Sequence, residues 1–333
     1  MSSKGVGNPT CGANVWAPPE ISIFSGVSYF LIGVLATFGN GLIITAIIID
    51  PVKKLRTPFN YLLVNLAVAD FIMGSVAMPL AVYLHYKEYK VELSPTINNL
   101  VRMLYFISGM ASIISLIALS VDRYIAISRA ISYRIFFTMR KCVFITFVIW
   151  STSIAFPFLY FKIGAVNYYF LFACVAILTG FLVIVVVLFQ IKKLLRRQTR
   201  LMTSQLPESS SQQFQMSRLQ QEKKITRTYL IVLICFVVIY LPGVVMVFML
   251  YFWKSLDCIT RHVLRDLQSV LISFNSCVNP FIYIIRLKTF KESIRILLRR
   301  NTRVEVAPEE ELNITRAARK EQLVIVGDGV TCH

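Results

Sequence analysis

The chain has 333 residues, of which 56% are hydrophobic and only 16% are charged. Soluble domains contain about 45–50% apolar and about 25% charged residues, so this composition excludes an ordinary soluble or disordered chain. It also argues against a soluble nucleic-acid-binding protein, although 35 Lys and Arg against 17 Asp and Glu give a net charge of +18. The basic excess therefore needs a different explanation.

Seven apolar stretches of membrane-spanning length follow one another along the chain. A hydrocarbon core about 30 Å thick requires about 20 helical residues, and lipid offers no partner to unpaired backbone groups, so each stretch is expected to be a helix. The predicted spans are Ile21–Ile49, Phe59–Tyr86, Met103–Val121, Cys142–Phe161, Ile163–Ile191, Thr228–Trp253 and Leu267–Ile285. The fourth and fifth lie close together, but their combined length exceeds a single crossing. These stretches predict an all-α membrane protein, a bundle of seven transmembrane helices.

The distribution of Lys and Arg predicts the orientation of the bundle. Basic residues are concentrated after the first, third, fifth and seventh spans and are fewer in the opposite connections. The positive-inside rule then places the N-terminus outside the cell and the C-terminus in the cytoplasm. The basic excess is therefore mainly a topology signal, with an added attraction to anionic lipid headgroups.

The regions outside the spans divide the chain further. Residues 1–20 are expected to form an extracellular tail, residues 21–299 the transmembrane domain, and residues 300–333 a disordered cytoplasmic tail. Residues 287–299 place apolar side chains on one face and cations on the other, which predicts a short amphipathic eighth helix on the inner membrane surface. The Ser- and Gln-rich segment 201–221 is predicted to be a flexible cytoplasmic loop.

Metal and catalytic motifs are scarce. The seven cysteines form no CxxC pair, and His85, His262 and His333 are the only histidines, so their spacing indicates no zinc site. The sequence contains no HExxH, GxSxG or paired-carboxylate pattern, and we expect no enzyme activity.

Polar side chains inside the predicted spans are costly and therefore informative. Asp70 lies near the middle of the second span. The other polar positions share helical faces at spacings of about three or four residues; they are Asn40, then Ser108, Ser112 and Ser115, then Asn275, Ser276, Asn279 and Tyr283. We expect these faces to turn inward around Asp70. Their oxygens suit a small hard cation or water, and a purely structural hydrogen-bond network is the open alternative.

Motifs on successive predicted helices resemble those of class A, or rhodopsin-like, G-protein-coupled receptors over residues 21–299. The markers are Gly39-Asn40, Leu66-Ala67-Val68-Ala69-Asp70, Asp122-Arg123-Tyr124, Trp150, Phe236 with Leu241-Pro242, and Asn279-Pro280-Phe281-Ile282-Tyr283. Each pattern alone is weak, but their order makes the resemblance specific. It implies a plasma-membrane receptor that passes an extracellular ligand signal to a heterotrimeric G protein, with no cofactor apart from an allosteric sodium ion. A seven-span transporter or channel is the alternative.

The resemblance also implies roles for individual residues. Asp70, Ser112, Asn275, Ser276 and Asn279 match the family's sodium pocket, with Asp70 and Ser112 as metal ligands. The coupling and activation switch comprises Asp122, Arg123, Tyr124, Ile131, Glu222, Asn279, Pro280 and Tyr283. Within it, Ile131 matches the loop residue that inserts into Gα, and Glu222 the acidic partner of Arg123. A solvated charge at the start of a helix is the alternative for Glu222.

A ligand cavity is expected between the outer halves of the helices. Its predicted lining is Arg102, Tyr105, Phe172, Tyr240, Val247 and Ser269. The absence of an aspartate at the Tyr105 position argues against the usual amine ligands. An apolar, aromatic pocket with one cation at its mouth favours a lipid or small acid over a peptide. Alternatively, Arg102 only extends to lipid headgroups.

The chain departs from the family at its disulfide. Neither Asn98 nor the short loop 162–167 supplies the cysteines of the family's usual bridge, so Cys11 and Cys258 are predicted to pair instead, with two unrelated cysteines as the alternative. The missing bridge, the short loop and the lack of a proline in the fifth span resemble the melanocortin-receptor branch. The ending Arg196-Arg197-Gln198 is similar to adenosine receptors.

Overall fold

The computed structural model describes residues 17–92, 95–128, 133, 138–174, 179–204, 210–253 and 255–304. For residues 165–166, 179, 181, 183, 188, 195, 197–204, 210–219, 221–222 and 300–304 it describes the backbone but not the side chains. Every regular element in the described residues is helical.

The helices follow the predicted order of spans. They are α1 (Pro19–Ile49), α2 (Pro58–Tyr89), α3 (Pro95–Ser128), α4 (Met139–Ile163), α5 (Ala165–Phe172), α6 (Thr179–Ser204), α7 (Ser210–Phe252), α8 (Cys258–Arg286) and α9 (Lys288–Val304). In the described residues, six are long and apolar enough to cross a membrane, namely α1 to α4, α7 from Lys223 onward, and α8. The fifth predicted span corresponds to α5 and α6, and residues 175–178 between them lie outside the described ranges. The predicted all-α, seven-transmembrane bundle is confirmed.

Several helices extend beyond the apolar stretches that predicted them. Helix α8 begins at Cys258 rather than Leu267, so Arg261 and Arg265 are helical and not part of a loop. Asp257 caps this helix by accepting a hydrogen bond from the Thr260 backbone N–H (3.0 Å), and hydrogen bonding to Thr260 lowers the pKa of the Asp257 carboxyl. Apolarity marks only the part of a helix that lipid surrounds, whereas capping decides where it begins.

The prediction of a flexible loop over residues 201–221 was wrong for most of its length. Helix α6 continues to Ser204 and α7 begins at Ser210. Gln, Met, Leu and Arg in this segment are good helix formers, and adjoining spans spare them the cost of nucleation.

A single residue, Gly164, connects α4 to α5. Its φ of 80° and ψ of 165° lie in a region that side chains with a Cβ rarely adopt, so glycine turns the chain here without strain. The Gly164 carbonyl accepts the hydrogen bond of the Tyr168 N–H (3.0 Å), which starts the next helix at once. The fourth and fifth spans are therefore separate helices joined by a minimal turn.

Close packing of α1 against α2 depends on Gly74. A Cβ on Gly74 would lie 2.8 Å from the Ala36 Cβ and 2.9 Å from the Thr37 backbone nitrogen. Gly74 belongs to a π-helical turn, Met73–Ala77, which interrupts α2 just before Pro79. A π turn accommodates the missing N–H of proline without ending the helix. This turn therefore sets the direction of the part of α2 that follows it, Met78–Tyr89.

The bundle exposes apolar side chains on its exterior and buries carboxylates in its interior. Phe38, Phe147 and Ile285 are 70%, 68% and 75% exposed, whereas the side chains of Asp70 and Asp122 are completely buried. An exterior of this kind would be unfavourable in water but suits contact with lipid.

The predicted amphipathic helix is present as α9. Phe290 and Ile294 are buried against the bundle, and the Phe290 ring lies 6.3 Å from the Tyr283 ring. Lys291 and Arg295 are exposed on the opposite side. Helix α9 therefore packs an apolar face on α8 and presents cations outward.

Candidate functional site

A buried carboxylate lies at the centre of the bundle. Asp70 on α2 accepts hydrogen bonds from the Ser112 hydroxyl (3.1 Å), the Ser276 hydroxyl (2.9 Å) and the Asn279 amide (2.9 Å). These donors come from α3 and α8, so one side chain joins three helices. No cationic side chain in the described residues pairs with Asp70.

The remaining residues of the predicted polar core surround this centre without bonding the carboxylate. The Asn40 amide donates to the backbone carbonyls of Ala36 and Ser276, both at 2.9 Å, and so attaches α1 to α8. Ser108 donates to the Ala69 carbonyl. Asn275 is buried, but no hydrogen bond joins its side chain to Asp70 in the described part of the chain.

A second polar network was not predicted. The Asn65 side-chain N–H donates to the Ser115 hydroxyl (2.7 Å), and the Trp150 indole N–H donates to the Asn65 side-chain oxygen Oδ1 (2.7 Å). This chain of hydrogen bonds connects α2, α3 and α4. The sequence signal for this network was Asn65 itself, a polar residue inside an apolar stretch. Asn65 lies on a different face of α2 from Asp70.

Arg123 and Asp122 form a buried ion pair at the end of α3. Arg123 Nε and Nη2 donate to Asp122 Oδ2 at 2.9 and 2.6 Å. The Tyr133 hydroxyl donates to Asp122 Oδ1 (2.5 Å) and accepts from Arg123 Nη2 (3.4 Å). The guanidinium also lies 4.1 Å from the centre of the Phe59 ring. Arg123 is thus held against Asp122 on its own helix.

Of the other residues in the predicted switch, the structure describes some and leaves others outside its range. Tyr124 is partly exposed (36%), facing away from the ion pair. Ile131 and the Glu222 side chain lie outside the described residues, so their roles stay predictions. Tyr133 follows in the connection after α3, where the sequence carries no periodic signal that could have identified it.

Tyr229 connects α7 to α3. Its hydroxyl donates to the Leu116 carbonyl (2.6 Å) and lies 3.2 Å from the Ser120 hydroxyl. The sequence gives no hint of this contact because a tyrosine in an apolar stretch usually packs as a hydrophobic residue. Pro242 lies inside the same helix, 13 positions further along.

The end of α8 leaves one hydroxyl without a partner. Pro280 lies inside the helix, and the Tyr283 hydroxyl is buried with no hydrogen-bond partner in the described residues. A buried unpaired hydroxyl costs about 1–3 kcal/mol, which another arrangement of the side chain could recover.

A basic cavity opens between α7 and the end of α8. Its volume is about 620 Å³, and it is lined by Gln220, Lys223, Lys224, Arg227, Thr228, Ile231 and Arg286. Four of these seven side chains are cationic, so the cavity attracts acidic groups.

The predicted ligand-cavity residues lie at the opposite end of the bundle. Phe172, Tyr240 and Val247 are buried in one continuous apolar cluster, against which Tyr105 packs. The Tyr105 hydroxyl is buried without a hydrogen-bond partner in the described residues, as is the hydroxyl of Ser273. The region is therefore aromatic, with two unused polar groups.

Arg102 and Ser269 lie near the same end. Arg102 Nη1 donates to the Tyr160 hydroxyl (3.0 Å), and its guanidinium lies 6.0 Å from the Tyr169 ring. Ser269 donates to the Arg265 carbonyl one turn before it (2.9 Å). Arg102 is thus held by aromatic side chains of α4 and α5.

Cys258 at the start of α8 is disulfide-bonded. Cys11 lies outside the described residues, so the pairing of Cys11 with Cys258 stays a prediction. Cys142, Cys174, Cys235 and Cys277 are free.

Comparison with known proteins places the chain in a functional context. Residues 39–165 and 160–283 match the family of 7 transmembrane receptors (rhodopsin family). The chain is 27% identical to adenosine receptor A3 of Ovis aries, over 81% of this chain and 87% of that protein. It is 31% identical to lysophosphatidic acid receptor 3 of Homo sapiens, over 74% and 70%, and 26% identical to trace amine-associated receptor 9 of Mus musculus, over 87% and 88%.

The contact between Tyr229 and α3 predicts a loss of stability in Tyr229→Phe. The substitution removes the hydroxyl that binds the Leu116 carbonyl but keeps the ring, so we expect a cost of about 0.5–1.5 kcal/mol. Thermal unfolding of the purified protein in detergent should show a lower midpoint. Tyr124→Phe, the same change at an exposed position, should leave the midpoint unchanged; equal effects of both would contradict the interpretation.

Proposed function

Since the chain belongs to the rhodopsin family of seven-transmembrane receptors, we propose that it passes an extracellular ligand signal to a heterotrimeric G protein. The ion pair of Arg123 and Asp122, closed by Tyr133, is the observation that carries the proposal. It is a buried, strongly bonded pair at one end of the bundle, beside a cavity whose walls are basic. The family match gives no support to a transporter or channel.

The proposed orientation follows from the basic residues. The Arg123 end of α3, the basic cavity and α9 face the cytoplasm, and the N-terminus is outside the cell. Cations then lie on the side where the positive-inside rule requires them.

The proposed activation step is the opening of the cytoplasmic end. Arg123 leaves Asp122 and extends into the space that α7 vacates, where it contacts the G protein. The kink that Pro242 introduces lets the two halves of α7 move separately. Such motion breaks the bond of Tyr229 to Leu116, so closed and open forms differ by a small set of discrete contacts.

Substitutions at the ion pair test this proposal. Arg123→Ala should abolish Gα activation, because it removes the group that engages the partner. Tyr133→Phe should raise ligand-independent activation, because Asp122 and Arg123 each lose a hydrogen bond that keeps the pair closed. Both are measured as GTP-analogue binding by Gα in membranes that contain equal amounts of receptor.

Arg140→Ala provides the matched control, since Arg140 is an exposed arginine at the same end of the bundle. It should retain full activation. If Arg123→Ala also retained it, the proposed role of Arg123 would be excluded.

We further propose that a sodium ion binds at Asp70 and stabilises the closed form. The supporting observation is a buried carboxylate without a cationic partner in the described residues, adjoined by the hydroxyl oxygens of Ser112 and Ser276, while the Asn279 N–H donates to the same carboxylate. Oxygen ligands of this kind suit a small hard cation. The ion would supply the positive charge that balances the carboxylate.

The sodium proposal predicts a salt-specific stabilisation. Replacing potassium chloride by sodium chloride at equal ionic strength should raise the midpoint of thermal unfolding, because an ion that binds only the folded state stabilises it. Asp70→Asn should remove the difference and Ser112→Ala should reduce it. Ser108→Ala is the control, since Ser108 bonds the Ala69 carbonyl; a sodium effect that survives in Asp70→Asn contradicts the proposal.

We propose that the ligand is a lipid or a small acid rather than a peptide. The names of the relatives include an amine, a nucleoside and an acidic lipid, so they do not select among ligand classes. Support comes from the chain itself, in which the Arg102 cation borders an aromatic region where the hydroxyls of Tyr105 and Ser273 have no hydrogen-bond partner among the described residues. Such a region combines apolar contact area with a few polar groups that orient a ligand.

A panel of lysophospholipids, fatty acids and small carboxylates, read out by Gα activation, tests the ligand class. For an active compound, Arg102→Ala should raise the half-effective concentration about tenfold or more, as expected for a lost charge-assisted hydrogen bond. Arg102→Lys should restore part of the response. An unchanged response in Arg102→Ala would exclude a role of Arg102 in ligand binding.

A further inference from the structure

Three possible metal ligands converge where α2 meets α8, at the end of the bundle opposite Arg123. His85 and Glu88 lie on α2, and Asp266 lies on α8. His85 Nδ1 is 3.1 Å from Glu88 Oε2 and 3.9 Å from Asp266 Oδ2, and one ligand atom of each residue lies within 4.8 Å of the others. No other group of this kind occurs in the described residues.

The surrounding residues orient these ligands. Arg265 Nη2 bonds Glu88 Oε1 (3.0 Å) and Arg265 Nε bonds Asp266 Oδ1 (2.6 Å), so the guanidinium uses one oxygen of each carboxylate. The other oxygens, Oε2 and Oδ2, face His85. Hydrogen bonds of this type, made to the carboxylate oxygen that does not face the metal, fix metal-binding carboxylates in place.

Two contacts from α1 complete the surroundings. The Ser25 hydroxyl donates to Asp266 Oδ2 (3.3 Å). The Tyr29 ring stacks on the His85 imidazole, with 5.5 Å between ring centres and 19° between planes. The imidazole therefore has little rotational freedom, and it presents Nδ1 to the carboxylates.

The charges of the cluster favour a cation. Two carboxylates face one guanidinium, so the charges of Glu88, Arg265 and Asp266 sum to one negative charge. His85 and Asp266 are 7% and 4% exposed. The Arg265 side chain is 37% exposed, so the cluster lies at the surface of the bundle end and an ion can reach it from solvent.

We propose that His85, Glu88 and Asp266 form a Zn²⁺ site that links α2 to α8. One imidazole nitrogen and two carboxylate oxygens match the ligand preferences of zinc, whereas Ca²⁺ and Mg²⁺ favour oxygen ligands alone. Zinc–ligand distances of about 2.0–2.2 Å place tetrahedral ligand atoms about 3.4 Å apart, so shifts of about 1 Å bring these three to bonding distance. Water takes the fourth position.

Two features explain why the spacing of cysteines and histidines indicated no zinc site. Two of the ligands, Glu88 and Asp266, are carboxylates. In addition, Asp266 lies far from His85 and Glu88 in the sequence. The proposed orientation places the site outside the cell, separate from the G-protein face, and the proposal does not depend on the coupling described above.

Thermal unfolding of the full-length protein, purified in detergent without a polyhistidine tag, tests the site. Micromolar Zn²⁺ should raise the unfolding midpoint, and millimolar Mg²⁺ should not. His85→Ala and Glu88→Gln should each weaken the apparent zinc affinity by about tenfold or more.

His262→Ala is the matched control, since His262 lies on the same end of α8 but outside the cluster. Zinc stabilisation that persists in His85→Ala, or that disappears in His262→Ala, overturns the proposal. Metal-free unfolding midpoints show whether each variant folds. His85→Cys keeps a ligand and should prefer Cd²⁺, because thiolates favour softer metals; a folded His85→Cys protein that binds neither metal also overturns it.

Discussion

A carboxylate in the middle of an apolar bundle is the constraint on which the arrangement of the helices depends. Asp70 can be buried only because hydroxyl and amide groups of α3 and α8 donate to it. Withdrawing those donors would leave an unsatisfied charged group, which costs far more than a lost hydrogen bond between neutral groups. The relative positions of α2, α3 and α8 are therefore tied to one side chain, and any sliding of α8 must exchange these bonds for others.

The sequence predicts the features that have local signals. Apolar length identifies the spans, and Asp70, Ser112 and Asn279 stand out because they interrupt apolar stretches at helical spacing. Tyr133 and Tyr229 have no such signal. Tyr133 lies in a connection without periodicity, and Tyr229 lies in an apolar stretch where a tyrosine is unremarkable. Only the folded arrangement therefore reveals their hydrogen bonds.

The start of a helix likewise depends both on local sequence signals and on tertiary contacts. Hydropathy places the start of α8 near Leu267, but the helix begins at Cys258 because Asp257 caps it and tertiary contacts occupy its polar first turns. As a result, Arg265 and Asp266 were expected in or beside a loop. Because both residues are helical, Asp266 faces His85, and Arg265 bonds the carboxylates of Glu88 and Asp266.

The charged residues of the bundle are arranged in three levels. Arg123 and Asp122 form one pair at the end of α3, the cluster around His85 lies at the other end, and Asp70 occupies the centre. The space between these levels holds apolar side chains and the hydrogen-bonded network of Asn65, Ser115 and Trp150. Because Asp70 and the cluster around His85 both join α2 to α8, a change at one end acts through these shared helices rather than through a direct chain of charges.

The one-residue connection at Gly164 has a consequence for how molecules enter the bundle. A longer segment at this place could fold across the opening as a lid, but a single glycine contributes no side chain and spans almost no distance. The connection between α4 and α5 therefore contributes no cover to this end of the bundle. A molecule bound at this end would be retained by side chains of the helices and not by the segment that joins α4 to α5.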